Sequence, residues 1–259
     1  MNAVKIGFFI VLIPMLLIGC TTNETKLLAS HEVAMKQKPY TVESYLRDEM
    51  LIVGLGDSLT EGVGDKEERG YIDRVKEKFE KEGHSDIELA NYAVEGDKTT
   101  NMMKRLKEEE TKKKIEDADM IFITIGANDI MYVFKKNVFQ LDYEKFMEDQ
   151  SSYKKRLNQI LSYIRDVNSN AFIVFLSLYN PFSYLVSDIP EIELIMSDYN
   201  QLSKQVVSNY NPIYFVSIDD IFNFEPTLLS DDLFHPNEEG YSNMADRILD
   251  TIHFNDGGE

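Results

Sequence analysis

Ser58 has the surroundings most suggestive of chemistry. It stands in Leu51-Ile-Val-Gly-Leu-Gly-Asp-Ser-Leu-Thr-Glu-Gly62, where an apolar run stops at Gly56 and small polar residues follow. A buried strand ending in a tight turn holds one hydroxyl at its tip. Such a hydroxyl becomes a nucleophile when other residues supply a base and donors for an oxyanion. The chain has four histidines, His31, His84, His235 and His253. His31 lies in a polar stretch, and His84 and His253 fall at helix ends. His235 precedes Pro236 at a strand-to-helix junction and is the candidate base. Asp232 lies three residues earlier, close enough for a local turn to bring its carboxylate to the imidazole and set its tautomer. Asp231 is the alternative. The backbone N–H groups of Ser58 and Gly96 and the side-chain amide of Asn128 are candidate oxyanion donors. Asp57 and Asp129 suit bracing of their turns better than proton transfer. Each residue alone has a plainer reading: Ser58 as a helix N-cap, His235 as a residue leading into a helix, Asn128 as a turn former.

These groups need a frame. Strand-length apolar runs at 51–55, 87–94, 120–125, 171–178 and 213–218 alternate with helical patterns at 71–81, 99–110, 143–168, 192–210 and from Pro236 to about 252. The run at 120–125 is almost wholly apolar, as suits a strand covered on both faces. Five such strands separated by helices predict an α/β domain with a parallel sheet and helices on both sides. In these sheets ligands bind at the carboxyl ends of the strands. Ser58, Gly96 and Asn128 follow the first three runs, and Asp232 and His235 lie on a longer excursion after the fifth. Apolar stretches at 130–139 and 179–189 follow the third and fourth runs. Phe134 and Phe182 within them are candidates to line an acyl pocket or form a lid, with ordinary loop packing as the equal alternative. The Glu/Lys run at 108–114 reads as a solvated helix surface.

Composition narrows the class. Hydrophobic residues are 43% and charged residues 28% of 259, the balance of a folded protein. A formal net charge of -18 disfavours nucleic acid as a partner. It also disfavours electrostatic adhesion to anionic lipid. Cys20 is the single cysteine, so an intrachain disulfide and a four-cysteine metal site are excluded. Residues 1–19 carry Lys5 and then an apolar run at 6–18, too short for a comfortable membrane span and typical of a signal peptide. The run ends in Leu17-Ile-Gly-Cys20, which resembles the lipobox of bacterial lipoproteins. That resemblance implies cleavage before Cys20, lipidation of Cys20 and an extracytoplasmic, membrane-anchored domain. An uncleaved N-terminal anchor is the alternative. Residues 20–48 read as a flexible tether, 49–254 as the domain and 255–259 as a tail.

Four blocks now stand in order: Gly56-Asp57-Ser58-Leu59, Asn91-x-x-x-x-Gly96, Gly126-x-Asn128-Asp129 and Asp232-x-x-His235-Pro236. Together they resemble the GDSL or SGNH hydrolase family and span nearly the whole domain. The resemblance implies a three-layer α/β/α, flavodoxin-like fold around a five-stranded parallel sheet. It also implies ester hydrolysis through an acyl-enzyme, with Ser58 as nucleophile, His235 as base and Asp232 as orienting acid. Ser58, Gly96 and Asn128 would form the oxyanion hole, with no metal and no cofactor. Val94-Glu95 departs from the small residues more usual before the second-block glycine. Related folds act on lipids, acetylated sugars and thioesters, so lipase, deacetylase and thioesterase all stay open. A catalytically silent module of the same fold, holding a cell-surface glycan or lipid, is the competing reading. A flavodoxin-like electron carrier would leave the Ser58–His235–Asp232 set without a purpose.

Overall fold

The computed structural model describes residues 42–47, 49–84, 86–137, 143–184 and 189–254. The expected leader, Cys20, most of the expected tether, the tail, and Phe139, Leu185 and Val186 of the apolar stretches lie outside them. Five strands, β1 (Glu49–Gly56), β2 (Asp86–Asn91), β3 (Met120–Thr124), β4 (Phe172–Leu176) and β5 (Ile213–Val216), form one sheet. All neighbours are parallel, in the order β2-β1-β3-β4-β5. Eight helices accompany them among the described residues: α1 (Ser58–Glu61), α2 (Gly70–Lys81), α3 (Thr99–Arg105), α4 (Glu109–Asp117), α5 (Ala127–Lys136), α6 (Tyr143–Val167), α7 (Pro190–Val207) and α8 (Glu238–Phe254).

Strand periodicity builds the three layers. Side chains alternate across a strand, so Met50 and Ile52, Met120 and Phe122, and Phe172 and Val174 enter one core with Tyr71, Val75 and Phe79 of α2 and Tyr241, Met244 and Ile248 of α8. Leu51, Val53, Ile121, Ile123, Ile173 and Phe175 enter the other with residues of α3 to α7, including Met102, Ile115, Ile130, Leu157 and Tyr199. The central strands are buried on both sides, which is why their sequences are apolar without alternation. The chain runs from β1 outward to β2, then crosses back to β3. This reversal leaves a crevice at the carboxyl ends of β1 and β3, where Ser58 and Asn128 emerge.

Several expected elements shift for physical reasons. The helix expected over 99–110 is two helices, α3 and α4. Buried Met102 and Leu106 are four residues apart, as are buried Thr111 and Ile115, but Leu106 and Thr111 are five apart. A continuous helix would rotate the second pair about 140° off the buried face, and the turn at 106–108 restores it. The stretch after β3 is a helix, α5, rather than a loop. The last helix starts at Glu238 instead of Pro236, because Asn237 Oδ1 accepts the N–H groups of Glu239 at 3.1 Å and Gly240 at 3.0 Å as an N-cap. At the other end, Val42–Ser44 forms a 3-10 turn with Val42 fully buried, and the Tyr45 ring lies 5.1 Å from that of Phe172. Packing against the domain therefore begins before the expected boundary at Glu49.

Candidate active site

The turn after β1 depends on two residues, Gly56 and Asp57. Gly56 has φ +129°, and a Cβ there would come within 1.8 Å of the Thr124 carbonyl oxygen, so only glycine lets β1 bend over β3 at this point. Asp57 is the N-cap of α1: its Oδ1 accepts the Leu59 N–H at 3.3 Å and the Thr124 hydroxyl at 2.7 Å. The capping role open to Ser58 from the sequence thus falls to its neighbour, and the Ser58 hydroxyl is released for other partners. Thr60 extends the same buried network, with its Oγ1 2.8 Å from Thr124 Oγ1 and 2.7 Å from the Tyr71 hydroxyl. Asp57 Oδ2 has no hydrogen-bond partner among the described residues. Burial pushes the Asp57 carboxyl up to about 6, against bonds from Thr124 and Leu59 and the charge of His235.

His235 arrives from the opposite side of the crevice, on the turn before α8. Its Nε2 lies 3.0 Å from Ser58 Oγ, and its Nδ1 lies 2.6 Å from Asp232 Oδ2. A carboxylate at Nδ1 sets the tautomer with the proton there, which leaves Nε2 as acceptor for the serine hydroxyl. Asp232, not Asp231, is the carboxylate that meets the imidazole. Its other oxygen accepts the Ser230 hydroxyl at 2.7 Å and the N–H groups of Phe234 and His235 at 2.9 Å each. Burial works to raise the Asp232 pKa, but the hydrogen bonds from His235, Ser230 and Phe234 outweigh it and hold the carboxyl well below the usual range. The turn is pinned from outside as well. The Tyr179 hydroxyl donates to the Phe234 carbonyl at 2.5 Å, and Ser230 N–H donates to the His235 carbonyl at 2.8 Å.

The candidate donors come from three segments. Ser58 N–H is at the first turn of α1 and has no intrahelical acceptor. Gly96 has φ +78°, and a Cβ there would meet nothing within 4 Å, so backbone conformation and not crowding demands the glycine. Neither N–H is taken by an acceptor among the described residues. Asn128 lies in the first turn of α5 and donates one side-chain N–H to the Asp97 carbonyl at 3.1 Å, tying itself to the Gly96 loop. Its second amide proton remains for a ligand. Asp129 braces this arrangement as expected: it accepts the Thr99 N–H at 2.9 Å, the Thr99 hydroxyl at 2.7 Å and Arg156 Nη2 at 3.0 Å.

Beside Ser58 opens an apolar cleft of about 740 Å³ including its solvent-open mouth, between α5, α7, the segment after β4 and the His235 turn. Both Phe134 and Phe182 line it, along with Met131, Ile192, Met196 and Phe234. The rings of Phe182 and Phe234 lie 5.8 Å apart. Thr60, Tyr71, Thr124 and Gly64 support the site without having been assigned to it from the sequence. A Cβ on Gly64 would sit 2.5 Å from the Pro236 carbonyl oxygen and 2.9 Å from His235 Cβ. The only signal for Gly64 was a second glycine two positions after Gly62.

Residues 55–242 match the model of the GDSL-like Lipase/Acylhydrolase family. The chain is 34% identical over 242 residues to the uncharacterized protein YpmR of Bacillus subtilis (strain 168), covering 92% of each. It is 30% identical over 203 residues to the spore germination lipase LipC of Bacillus licheniformis, covering 75% of this chain and 92% of that one. Among solved structures, the lipase Lip_vut3 from a goat rumen metagenome superposes with a TM-score of 0.71 at 28% identity, over 78% of this chain and 97% of that one.

Proposed function

The chain belongs to the GDSL-like lipase/acylhydrolase family and is a hydrolase acting on esters, and on that premise we propose that Ser58, His235 and Asp232 form its catalytic triad. The observation that carries this reading is the unbroken relay from Ser58 Oγ to His235 Nε2 at 3.0 Å and from His235 Nδ1 to Asp232 Oδ2 at 2.6 Å. His235 takes the hydroxyl proton as Ser58 Oγ attacks the ester carbonyl, and Asp232 stabilises the imidazolium that results. The oxyanion is held by the N–H groups of Ser58 and Gly96 and the free amide proton of Asn128. His235 then gives its proton to the departing alcohol and leaves an acyl group on Ser58. A water, deprotonated by the same imidazole, releases the acid. The acyl group lies in the cleft beside Phe134 and Phe182, whose apolar walls favour a hydrocarbon chain over a bare acetyl group. A silent binding module finds no support in a serine and histidine so placed.

The reading extends to the N-terminus. The short apolar run before Cys20 supports cleavage of residues 1–19 and lipidation of Cys20, which would hold the enzyme on the outer face of the cell membrane. A fluorophosphonate probe tests the chemistry: one adduct at Ser58, absent from Ser58→Ala, is expected. Normal turnover of a chromogenic ester by folded Ser58→Ala protein would overturn the assignment.

A further inference from the structure

Beside the candidate oxyanion donors lies a feature that the triad does not use. Lys98 Nζ stands 4.1 Å from the centroid of the Tyr132 ring, and Lys136 Nζ stands 4.2 Å from it. Lys98 is two residues past Gly96. Tyr132 is four residues past Asn128, one helical turn along α5 and on the same face. The bond from Asn128 to the Asp97 carbonyl holds these two segments together. Neither ammonium forms an ion pair among the described residues, and the carboxylate nearest in sequence to Lys98, Asp97, is committed to Arg105 at 3.0 Å. Tyr132 is 47% exposed, so a solute can reach the cluster. In a chain of net charge -18, two cations without a carboxylate partner among the described residues share one ring on the helix that lends Met131 and Phe134 to the apolar cleft.

Cation–π contact holds each ammonium in place without neutralising it. The ring satisfies part of the solvation of both lysines and leaves their N–H donors for an anion. The hydrogen bond and charge of Lys136, with the charge of Lys98, lower the pKa of the Tyr132 phenol. The cleft supplies the complementary half, an apolar channel that ends at Ser58. A ligand that fits both halves has a hydrocarbon chain and an anionic group near the ester.

We propose that Lys98 and Lys136, spaced by Tyr132, form a subsite for the anionic head of a single-chain amphiphilic ester whose acyl chain occupies the cleft. The inference rests on the esterase reading for the bound ester, but the subsite is testable without turnover. Ser58→Ala protein is titrated calorimetrically with decyl phosphate, decanoate and the neutral decyl glucoside, all below their micellar concentrations. Decyl phosphate is expected to bind about tenfold more tightly than the glucoside, an advantage lost in the additional Lys98→Gln, Lys136→Gln double variant and reduced by salt. The same advantage over the glucoside for decanoate as for decyl phosphate assigns the site to anionic heads in general; an advantage for the phosphate alone assigns it to phosphate. Equal affinity for charged and neutral amphiphiles, or an advantage that survives the double substitution, overturns the proposal. Kinetics separate it from its premise. In the Ser58-containing enzyme, the ratio of kcat/KM for a lysophosphatidylglycerol over a monoacylglycerol of equal chain length is expected to fall about tenfold on double substitution. If neither ester is hydrolysed, the esterase reading fails while the titration still decides the subsite.

Discussion

Asp57 is held in two opposing ways. Its carboxylate caps α1 and receives the Thr124 hydroxyl, yet burial pushes its pKa up to about 6 from 3.8. A group whose folded pKa lies above its unfolded value binds its proton more tightly when folded. Its contribution to stability is therefore present below about pH 4, declines as pH rises through about 6, and is constant above. The difference corresponds to about 3 kcal/mol. Asp57→Asn keeps an acceptor for Leu59 and Thr124 and cannot ionise. Urea denaturation at about pH 4 and about pH 7 should show the variant gaining on the wild type by up to this amount at the higher pH; a constant difference would contradict the account. Asp232 behaves oppositely, because its hydrogen bonds favour the carboxylate. Asp232→Asn would leave the imidazole without an anion to stabilise its charged form, so kcat is expected to fall about 10⁴-fold with KM little altered, as steady-state kinetics on a soluble ester would show.

Among the elements, the turn after α1 matters beyond its size. Gly64 has φ +96° and lies against the backbone of the His235 turn. A Cβ at Gly64 clashes with Pro236 and His235, so Gly64→Ala must shift the His235 turn and strain its own backbone. The expected result is a Tm lowered by a few degrees and fluorophosphonate labelling slowed about tenfold or more, because small misplacements of reacting groups are costly. Labelling at the wild-type rate would remove Gly64 from the positioning role. The elements also explain where sequence reading was blind. α5 carries Ile130, Met131, Tyr132, Val133 and Phe134 in succession. Ile130 and Val133 are buried in the core, and Ile130, Met131 and Phe134 line the cleft. Ala127, Ile130, Met131, Val133 and Phe134 keep the i, i+3, i+4 spacing of an amphipathic helix, but the unbroken apolar run at 130–134 masks it in a helix of ten residues. α3 and α4 had the reverse problem, since their charged surfaces ran together and only the five-residue step from Leu106 to Thr111 separated them.

Over the whole molecule, the sheet order β2-β1-β3-β4-β5 brings residues separated by 177 positions into one hydrogen bond. The cleft beside that bond predicts a preference for longer acyl chains. Replacing Phe134 or Phe182 with alanine should lower kcat/KM for decanoyl esters about tenfold while affecting acetyl esters far less, a contrast read from a chain-length series. The proposed lipid at Cys20 predicts that Cys20→Ala shifts the protein from the membrane fraction of cells toward the soluble fraction, with no change in the activity of the soluble domain. By itself the sequence determined the parallel α/β class, the five strands to within three residues of their ends and the short list of Ser58, Gly96, Asn128, Asp232 and His235, because apolar periodicity and residue type are local properties that survive without coordinates. Tertiary structure decided what those residues do to one another. It gave the helix cap to Asp57 and freed the Ser58 hydroxyl, chose Asp232 over Asp231, and buried Asp57 far enough to raise its pKa. It also set Lys98 and Lys136 around one ring. These outcomes depend on distances between segments remote in sequence, and only the packed sheet brings those segments together.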